Sequence, residues 1–364
     1  MDIDNVGYLL ALHSINGLGP IRLKAVLEYF KDPKLAWFAK EYEFLQIGIP
    51  KNVATLLVET RKKLDPEKYM ESIQKSGIKW MTIFDLDYPK LLKEIYDPPV
   101  LFYYKGEILP SDKRSIAVVG TRKITGYGKL VTEKMVRELV GYKVTIVSGL
   151  ARGVDTQAHK TTIENQGRTL AVLGGGLNKI FPPENTTLAQ KIATGFGAVI
   201  SEFPPDALSL PGNFPARNRI ISGLSLATLV TEAAQDSGSL ITAKLALEEG
   251  RDVFAVPGPI TSDLSMGPSL LIKQGARLVT SANEILEELG IEKSQVLMAN
   301  NQVEITLSEL EKRIVGSLEN EQKHMDEICR ALEMPASMVS ASLIKMEIQG
   351  LVKNLGGGNY IRIC

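Results

Sequence analysis

The chain has 364 residues, 44% of them hydrophobic, and its 42 Lys and Arg balance 42 Asp and Glu to a formal net charge of zero. That length suggests two or three domains with ample apolar surface for one large core, and zero net charge excludes binding of a polyanion through overall charge, so any such site must be local. Two cysteines, Cys329 and Cys364, supply neither a disulfide framework nor a metal cluster and suit a reducing compartment.

At the amino terminus Asp2 and Asp4 stand where a secretory leader carries bases, and the apolar run is too short to cross a bilayer. A soluble, cytoplasmic protein without a membrane partner is expected. Residues 1–65 read as all-helical. Within SINGLGPIRLKAVLEYF, which ends at Phe30, Gly17, Leu18, Gly19 and Pro20 punctuate two helices, and Pro20 fits the first turn of the second. Gly48 and Pro50 repeat the pattern. Such turns suit a helix-hairpin-helix-like (SAM-like) domain whose backbone N–H groups take a phosphate irrespective of base; a small bundle whose glycines serve turns alone fits equally. His13, beside Leu10, Ala11 and Leu12, reads as a packing or surface residue.

Residues 66–290 alternate strand and helix. Segments 80–83 and 101–104 read as strands around a short helix at 88–95, and further strands are expected at 116–119, 144–147, 169–173, 198–201, 227–231 and 252–256. Their spacing suits βαβ units. Continuous apolar runs such as Ala171-Val172-Leu173 suit a parallel sheet covered on both faces. The fold class is therefore α/β: a Rossmann-like core with a mostly parallel sheet, preceded by a small helical domain and followed by a winged helix.

The chemistry concentrates where strands end. Strand 116–119 opens onto Gly120-Thr121-Arg122, and strand 144–147 onto Ser148-Gly149 and then Arg152-Gly153. Glycine lets the backbone approach a ligand and a helix start leaves N–H groups unpaired, the makings of an anion site. Neither GxGxxG nor a Walker GKS or GKT is present, so an ordinary dinucleotide or triphosphate loop is not supported. On the plainer reading, these glycines merely allow close strand-to-helix packing.

Ligands bind open parallel sheets beyond the carboxyl ends of the strands. That edge would gather Gly120, Thr121, Arg122, Ser148, Gly149, Arg152, Gly174 and Gly175 as phosphate-binding groups, with Arg217 and Arg219 extending them from a second loop. Arg122 and Arg152 can take phosphate oxygens in bidentate fashion. Residues 111–130 hold Lys113, Arg114, Arg122, Lys123 and Lys129 against Asp112 alone, a local positive patch in a neutral chain. Their alternative is a solvated charged face. Phe181, in the stiff loop Ile180-Phe181-Pro182-Pro183, and Phe214 either seal the core or stack on a base, as single-strand binders do.

Catalytic groups are harder to find. Asp155 and His159 stand at i, i+4, so an acid–imidazole pair is sterically possible. Ser148 lacks the GxSxG elbow and reads as a helix cap. Three scattered histidines and two late cysteines form no recognisable metal set. No catalytic residue, metal or cofactor is expected; Asp155, His159, Glu202, Glu232, Ser237 and Ser239 are assigned to bracing the crevice.

From residue 305 to 364 the pattern changes to three helices, 307–318, 325–332 and 338–349, and a hairpin turned at Gly356-Gly357-Gly358, which amounts to a winged helix. Eight acids, Glu319 among them, face seven bases there, and Lys345 is the single cation on the presumed recognition helix. A groove-reading helix would present several Arg, Lys, Asn or Gln. Protein contact or regulation is at least as well supported as base reading.

The motifs, in this order, resemble the DNA-processing protein A family, also called Smf. The resemblance rests on GTR at 120–122, SGLARGVD at 148–155 with Ala158-His159, TLAVLGGGLNKIFPPEN at 169–185, ISEFPP at 200–205, FPARNRIIS at 214–222, and the SGSLITA, ALEEGR and VFAVPG pieces between 237 and 258. One departure is Gly267-Pro268-Ser269-Leu270, where the family pattern leads one to expect an asparagine. The resemblance implies a non-enzymatic protein that binds and protects single-stranded DNA and helps load the RecA recombinase during natural transformation. It also implies a homodimer that associates through the domain's later half, beyond Leu210. The alternative from another class is an enzyme acting on a nucleotide or phosphorylated metabolite in the same crevice, with Asp155, His159 or Glu232 as acid or base.

Overall fold

The strands are apolar at successive positions because both of their faces are covered. A computed structural model describes residues 5–291, 308–318, 321–348 and 351–362 and divides into two compact units, residues 1–296 and 297–364. In the first unit, nine strands form one sheet: β1 (Lys79–Thr82), β2 (Leu101–Gly106), β3 (Ser115–Val119), β4 (Thr145–Ser148), β5 (Thr169–Leu173), β6 (Gly197–Ser201), β7 (Ala227–Val230), β8 (Asp252–Ala255) and β9 (Arg277–Leu278). Their order is β1-β2-β6-β5-β4-β3-β7-β8-β9. From β6 to β9 all neighbours are parallel, while β1 and β2 extend the sheet antiparallel beyond β6. Alternation along β3 divides its side chains between two cores: Ala117 and Val119 face one cluster with Ile200, Ile220 and Ala243, and Ile116 and Val118 the other with Met135, Leu139 and Ile285. This is the expected Rossmann-like α/β architecture.

The connectivity fixes where a ligand can sit. From β3 the chain steps outward through β4, β5 and β6, then returns to place β7 on the other side of β3. Loops leaving β3 and β7 therefore diverge at their carboxyl ends and open a crevice between them.

The amino-terminal segment is helical, beginning with Val6–His13 and Pro20–Phe30 and ending with Pro66–Lys75. Pro20, Pro33 and Pro66 each occupy a first helical turn, and Asp32 and Asp65 cap two of these helices by accepting from the N–H groups of Lys34 and of Glu67 and Lys68. These helices do not stand apart from the sheet. Leu9, Leu12, Trp37 and Leu57 belong to one continuous core with Tyr103 of β2, Leu173 of β5 and Val199 of β6. His13 is buried there, its Nδ1 3.2 Å from the Tyr103 hydroxyl, and burial pushes its pKa down to about 4, so the ring is neutral.

The second unit is a winged helix. Helices Glu309–Ser317, Met325–Leu332 and Ala336–Ile348 pack with β10 (Lys323–His324), β11 (Val352–Gly356) and β12 (Asn359–Arg362), and β11 and β12 form the glycine-turned wing. Ile314, Ile328, Leu343 and Tyr360 share its core. The start expected at residue 305, the helix end at 349, Glu319 and Cys364 lie outside the described residues.

One charged cluster lies apart from the crevice between the β3 and β7 loops. Arg219 bonds Glu202 at 2.6 Å and pairs with Asp97 at 3.5 Å, while Arg251 reaches Glu94 at 3.5 Å. Glu249 lies beside them at the end of helix Gly238–Glu248, and burial pushes its carboxyl from 4.5 up to about 7, with Ser222, Arg251 and Arg219 drawing it back only in part. Because the folded chain holds this proton more tightly than the unfolded chain, the group's contribution is full below about pH 4.5 and is lost as pH rises through about 7. Glu249→Gln should accordingly exceed the parent in stability by about 1–3 kcal/mol near pH 8 and match it near pH 4. Urea midpoints at the two pH values measure this, and an equal difference at both would place the gain elsewhere.

Candidate nucleic-acid interface

The loop after β3 is held by β7. The Thr121 N–H donates to the Glu232 carbonyl at 2.6 Å, and the Thr121 carbonyl accepts from the Val154 N–H at 3.1 Å, so two backbone atoms join three elements. Such proximity requires glycines on both sides. A Cβ on Gly120 would stand 2.6 Å from the Glu232 carbonyl oxygen, and Gly153, at φ +76°, would place one 2.2 Å from that of Thr121. The Glu232 carboxylate accepts from the Thr125 N–H at 2.9 Å and its hydroxyl at 2.6 Å, and that hydroxyl in turn caps helix Gly126–Gly141 by accepting from the Gly128 N–H at 3.0 Å. Glu232 thus sets the course of the loop that carries Arg122.

Between the loops lies a cavity of about 620 Å³, within the range that holds a nucleotide-sized ligand. Its rim is aromatic and cationic. The exposed Arg122 guanidinium lies 5.3 Å from the centroid of the half-buried Phe214, whose ring is 5.9 Å from that of Phe181 at an interplanar angle of 44°. Phe181 remains 46% exposed, which leaves ring surface for a base. Lys123 lines the same cavity, and Arg217, Asn218, Ser237 and Ser239 close it below.

Arg217 is buried. Its Nη1 donates to the Val172 carbonyl at 2.8 Å, and its Nε has no hydrogen-bond partner in the protein. Burial pushes its pKa down to about 10 despite the nearby Asp155, with Arg122 adding to the effect, so it remains a cation at neutral pH. Asp155 is buried as well, and its Oδ2 accepts from the N–H groups of Gly149 at 3.1 Å and Ala151 at 3.3 Å. Burial raises its pKa, an effect that Arg217 and these N–H groups oppose.

Several expected positions are corrected by this geometry. The Gly149 N–H is already satisfied by Asp155, so it is not open to a phosphate. Ser148 caps no helix: it ends β4 and donates to the Val118 carbonyl at 2.7 Å, while the following helix starts at Val154. His159 is fully buried, bonds the Thr169 hydroxyl at 2.7 Å, and is kept neutral with its pKa pushed down to about 3 by burial and by Arg217. It forms no acid–imidazole pair with Asp155. Gly174 packs under the Phe214 ring and Gly175 against Ser209, with the Gly175 carbonyl accepting from Ser201 at 2.7 Å, so both are packing positions.

The charges also separate. On helix Asn213–Gly223, Phe214, Arg217, Asn218 and Ile221 form the face that lines the cavity. Arg219, about 200° around the helix from Arg217, points to Glu202 and Asp97, so neither Arg219 nor Glu202 belongs to the crevice. Arg152 lies at the surface in an ion pair with Glu184. The positive run over 111–130 is not one patch. The five residues of β3 separate Lys113 and Arg114 from Arg122 and Lys123 by roughly 16 Å, and Asp112 at the far end pairs with Arg168 at 2.8 Å. Ser237 caps helix Gly238–Glu248 through the Ser239 N–H. Asn218 escaped the sequence reading, although helical periodicity counted from Phe214 would have found it. No group of three or more His, Cys, Asp or Glu among the described residues is placed to hold a metal.

Comparison with known proteins finds matches in both units. A family model described as DNA recombination-mediator protein A matches residues 79–290, and one described as the DprA winged helix domain matches 298–358. Protein Smf of Synechocystis sp. is 35% identical over 391 residues, spanning 98% of each chain, and Protein Smf of Escherichia coli is 36% identical, spanning 94% of this chain and 95% of its own. The X-ray structure of DNA processing protein A from Streptococcus pneumoniae superposes with a TM-score of 0.68 at 39% identity, over 79% of this chain and 99% of that one. The Helicobacter pylori DNA processing protein A, solved for its single-stranded DNA binding mode, superposes with a TM-score of 0.52 at 29% identity, over 58% of this chain and 95% of its own. On the family match and the relatives' full-length similarity, the chain belongs to the DNA recombination-mediator protein A family.

Proposed function

We propose that this protein binds and protects single-stranded DNA in the cytoplasm and, as a non-enzymatic homodimer, helps to load RecA recombinase during natural transformation. The observation that carries the reading is the rim at the β3–β7 switch point: an exposed guanidinium over one aromatic ring, beside a second ring that is half free. Arg122 and Lys123 would take backbone phosphates and Phe181 would stack on a base, a sequence-tolerant mode for single strands. The single-strand binding of the Helicobacter pylori relative supports this assignment. The enzymatic alternative is weakened at two of its three candidate groups, since His159 is buried away from the cavity and Glu232 is committed to Thr125, while Asp155 lines the cavity with Oδ2 engaged by two backbone N–H groups. RecA loading rests on family membership, and the homodimer on that together with exposed apolar side chains beyond Leu210, among them Ile241, Leu247, Ile260 and Met266.

Single strands should bind more tightly than duplex. Arg122→Ala should weaken binding about tenfold across all sequences and reduce the salt slope by about 0.7, the value for one single-strand phosphate contact. Anisotropy titrations at several salt concentrations measure both, and equal affinity for duplex and single strand would remove the proposal. Arg122→Lys should recover part of the loss, because it keeps the charge without the planar, bidentate guanidinium.

RecA loading has a separate readout. On a single strand already coated by this protein, the lag before RecA-dependent ATP hydrolysis should shorten, and an unchanged lag would remove the loading step alone.

The tail contributes little to strand binding on this reading, because Lys345, the cation on its third helix, already pairs with Glu311 at 2.9 Å. Residues 1–296 should therefore keep single-strand affinity within about tenfold of the full chain and should sediment as a dimer. A larger loss with a smaller salt slope would assign phosphate contacts to the tail, and a monomer would move the interface there.

A further inference from the structure

We propose that the floor of the crevice is a subsite for a phosphate monoester, supplied either by the terminus of a strand or by a free nucleoside monophosphate. The strand-end source rests on the single-strand reading above; the nucleotide source does not. Two independent features meet at this floor. The first is Arg217, 4% exposed, which lines the cavity while its Nε lacks any hydrogen-bond partner. The second is the start of the eleven-residue helix Gly238–Glu248, flanked by the Ser237 and Ser239 hydroxyls and by Asn218, whose Nδ2 donates to the Gly238 carbonyl at 3.3 Å. A helix start and a guanidinium are both anion-binding groups.

The charge arrangement points the same way. Arg122 at the rim and Arg217 at the floor line one cavity, and neither lies within ion-pair distance of a carboxylate among the described residues. Asp155 acts on Arg217 through space, but its Oδ2 is engaged by the N–H groups of Gly149 and Ala151. Burial argues for a terminal group: Asn218 and Ser239 are each 8% exposed, so a strand running across the rim presents its diesters to Arg122 and Lys123 while a chain end can descend. A monoester brings about −1.5 to −2 charge near pH 7, where a diester brings a single one.

The test compares oligothymidylates carrying a 5′-phosphate, a 3′-phosphate or only hydroxyl ends with a closed single-stranded circle, alongside thermal shift with dTMP and with thymidine. At least one phosphorylated end should bind about tenfold tighter than the hydroxyl strand, and the advantage should shrink below about pH 6 as the monoester loses its second charge. dTMP should raise the melting temperature and thymidine should not. Ser237→Asp retains a good helix cap but puts a negative charge at the helix start, and it should reduce the phosphorylated strand to the affinity of the hydroxyl strand. Equal binding of all four strands, with no shift by dTMP, would overturn the subsite and leave the single-strand reading standing. Stabilisation by dTMP with no strand bound would uphold the subsite and remove that reading.

Discussion

The capture of loop N–H groups by buried carboxylates is the interaction on which the carboxyl edge depends. A strand that ends in a glycine turn and restarts as a helix leaves donors without partners, and burying them unpaired is destabilising by about 1–3 kcal/mol each. Here the protein supplies its own anions. Glu232 takes the backbone and hydroxyl of Thr125, and Asp155 takes the N–H groups of Gly149 and Ala151. The β4 loop is thereby closed to an external phosphate, whereas the β3 loop is shaped so that Arg122 reaches the rim. One sheet edge thus carries two similar loops whose donors are satisfied in different ways.

Much of this architecture was legible from residue type. Continuous apolar runs marked the central strands, and glycines followed by helix-forming sequence marked their carboxyl ends, because close backbone approach leaves little choice of side chain. The carboxylates were visible as residues but their targets were not. Asp155 bonds N–H groups four and six residues earlier, and Glu232 reaches Thr125 across 107 positions. Side chains of one type can also diverge: Arg217 and Arg219 look equivalent in sequence, yet the helix turns one toward the cavity and the other toward Glu202. The positive run over 111–130 misled for a related reason, since a strand places its two ends on opposite edges of the sheet.

A formally neutral chain handles its charge by segregation. Arg168 with Asp112, Arg219 with Glu202 and Lys345 with Glu311 are internally paired, so these cations exert little field outside the protein. Arg122, exposed and lying over the Phe214 ring, contributes a field of its own at the crevice. Composition counts both kinds of cation alike. Pairing decides which of them a polyanion encounters.

The core shared by the amino-terminal helices and the sheet has a consequence for how the chain is made. Leu9, Trp37 and Leu57 leave the ribosome early, but Leu173 and Val199, which complete their packing, are added more than a hundred residues later. At about 5–20 residues per second, the nascent helices wait on the order of ten seconds with that apolar face uncovered. These helices are therefore made well before the strands that cover them, and their final docking is tied to the arrival of β6.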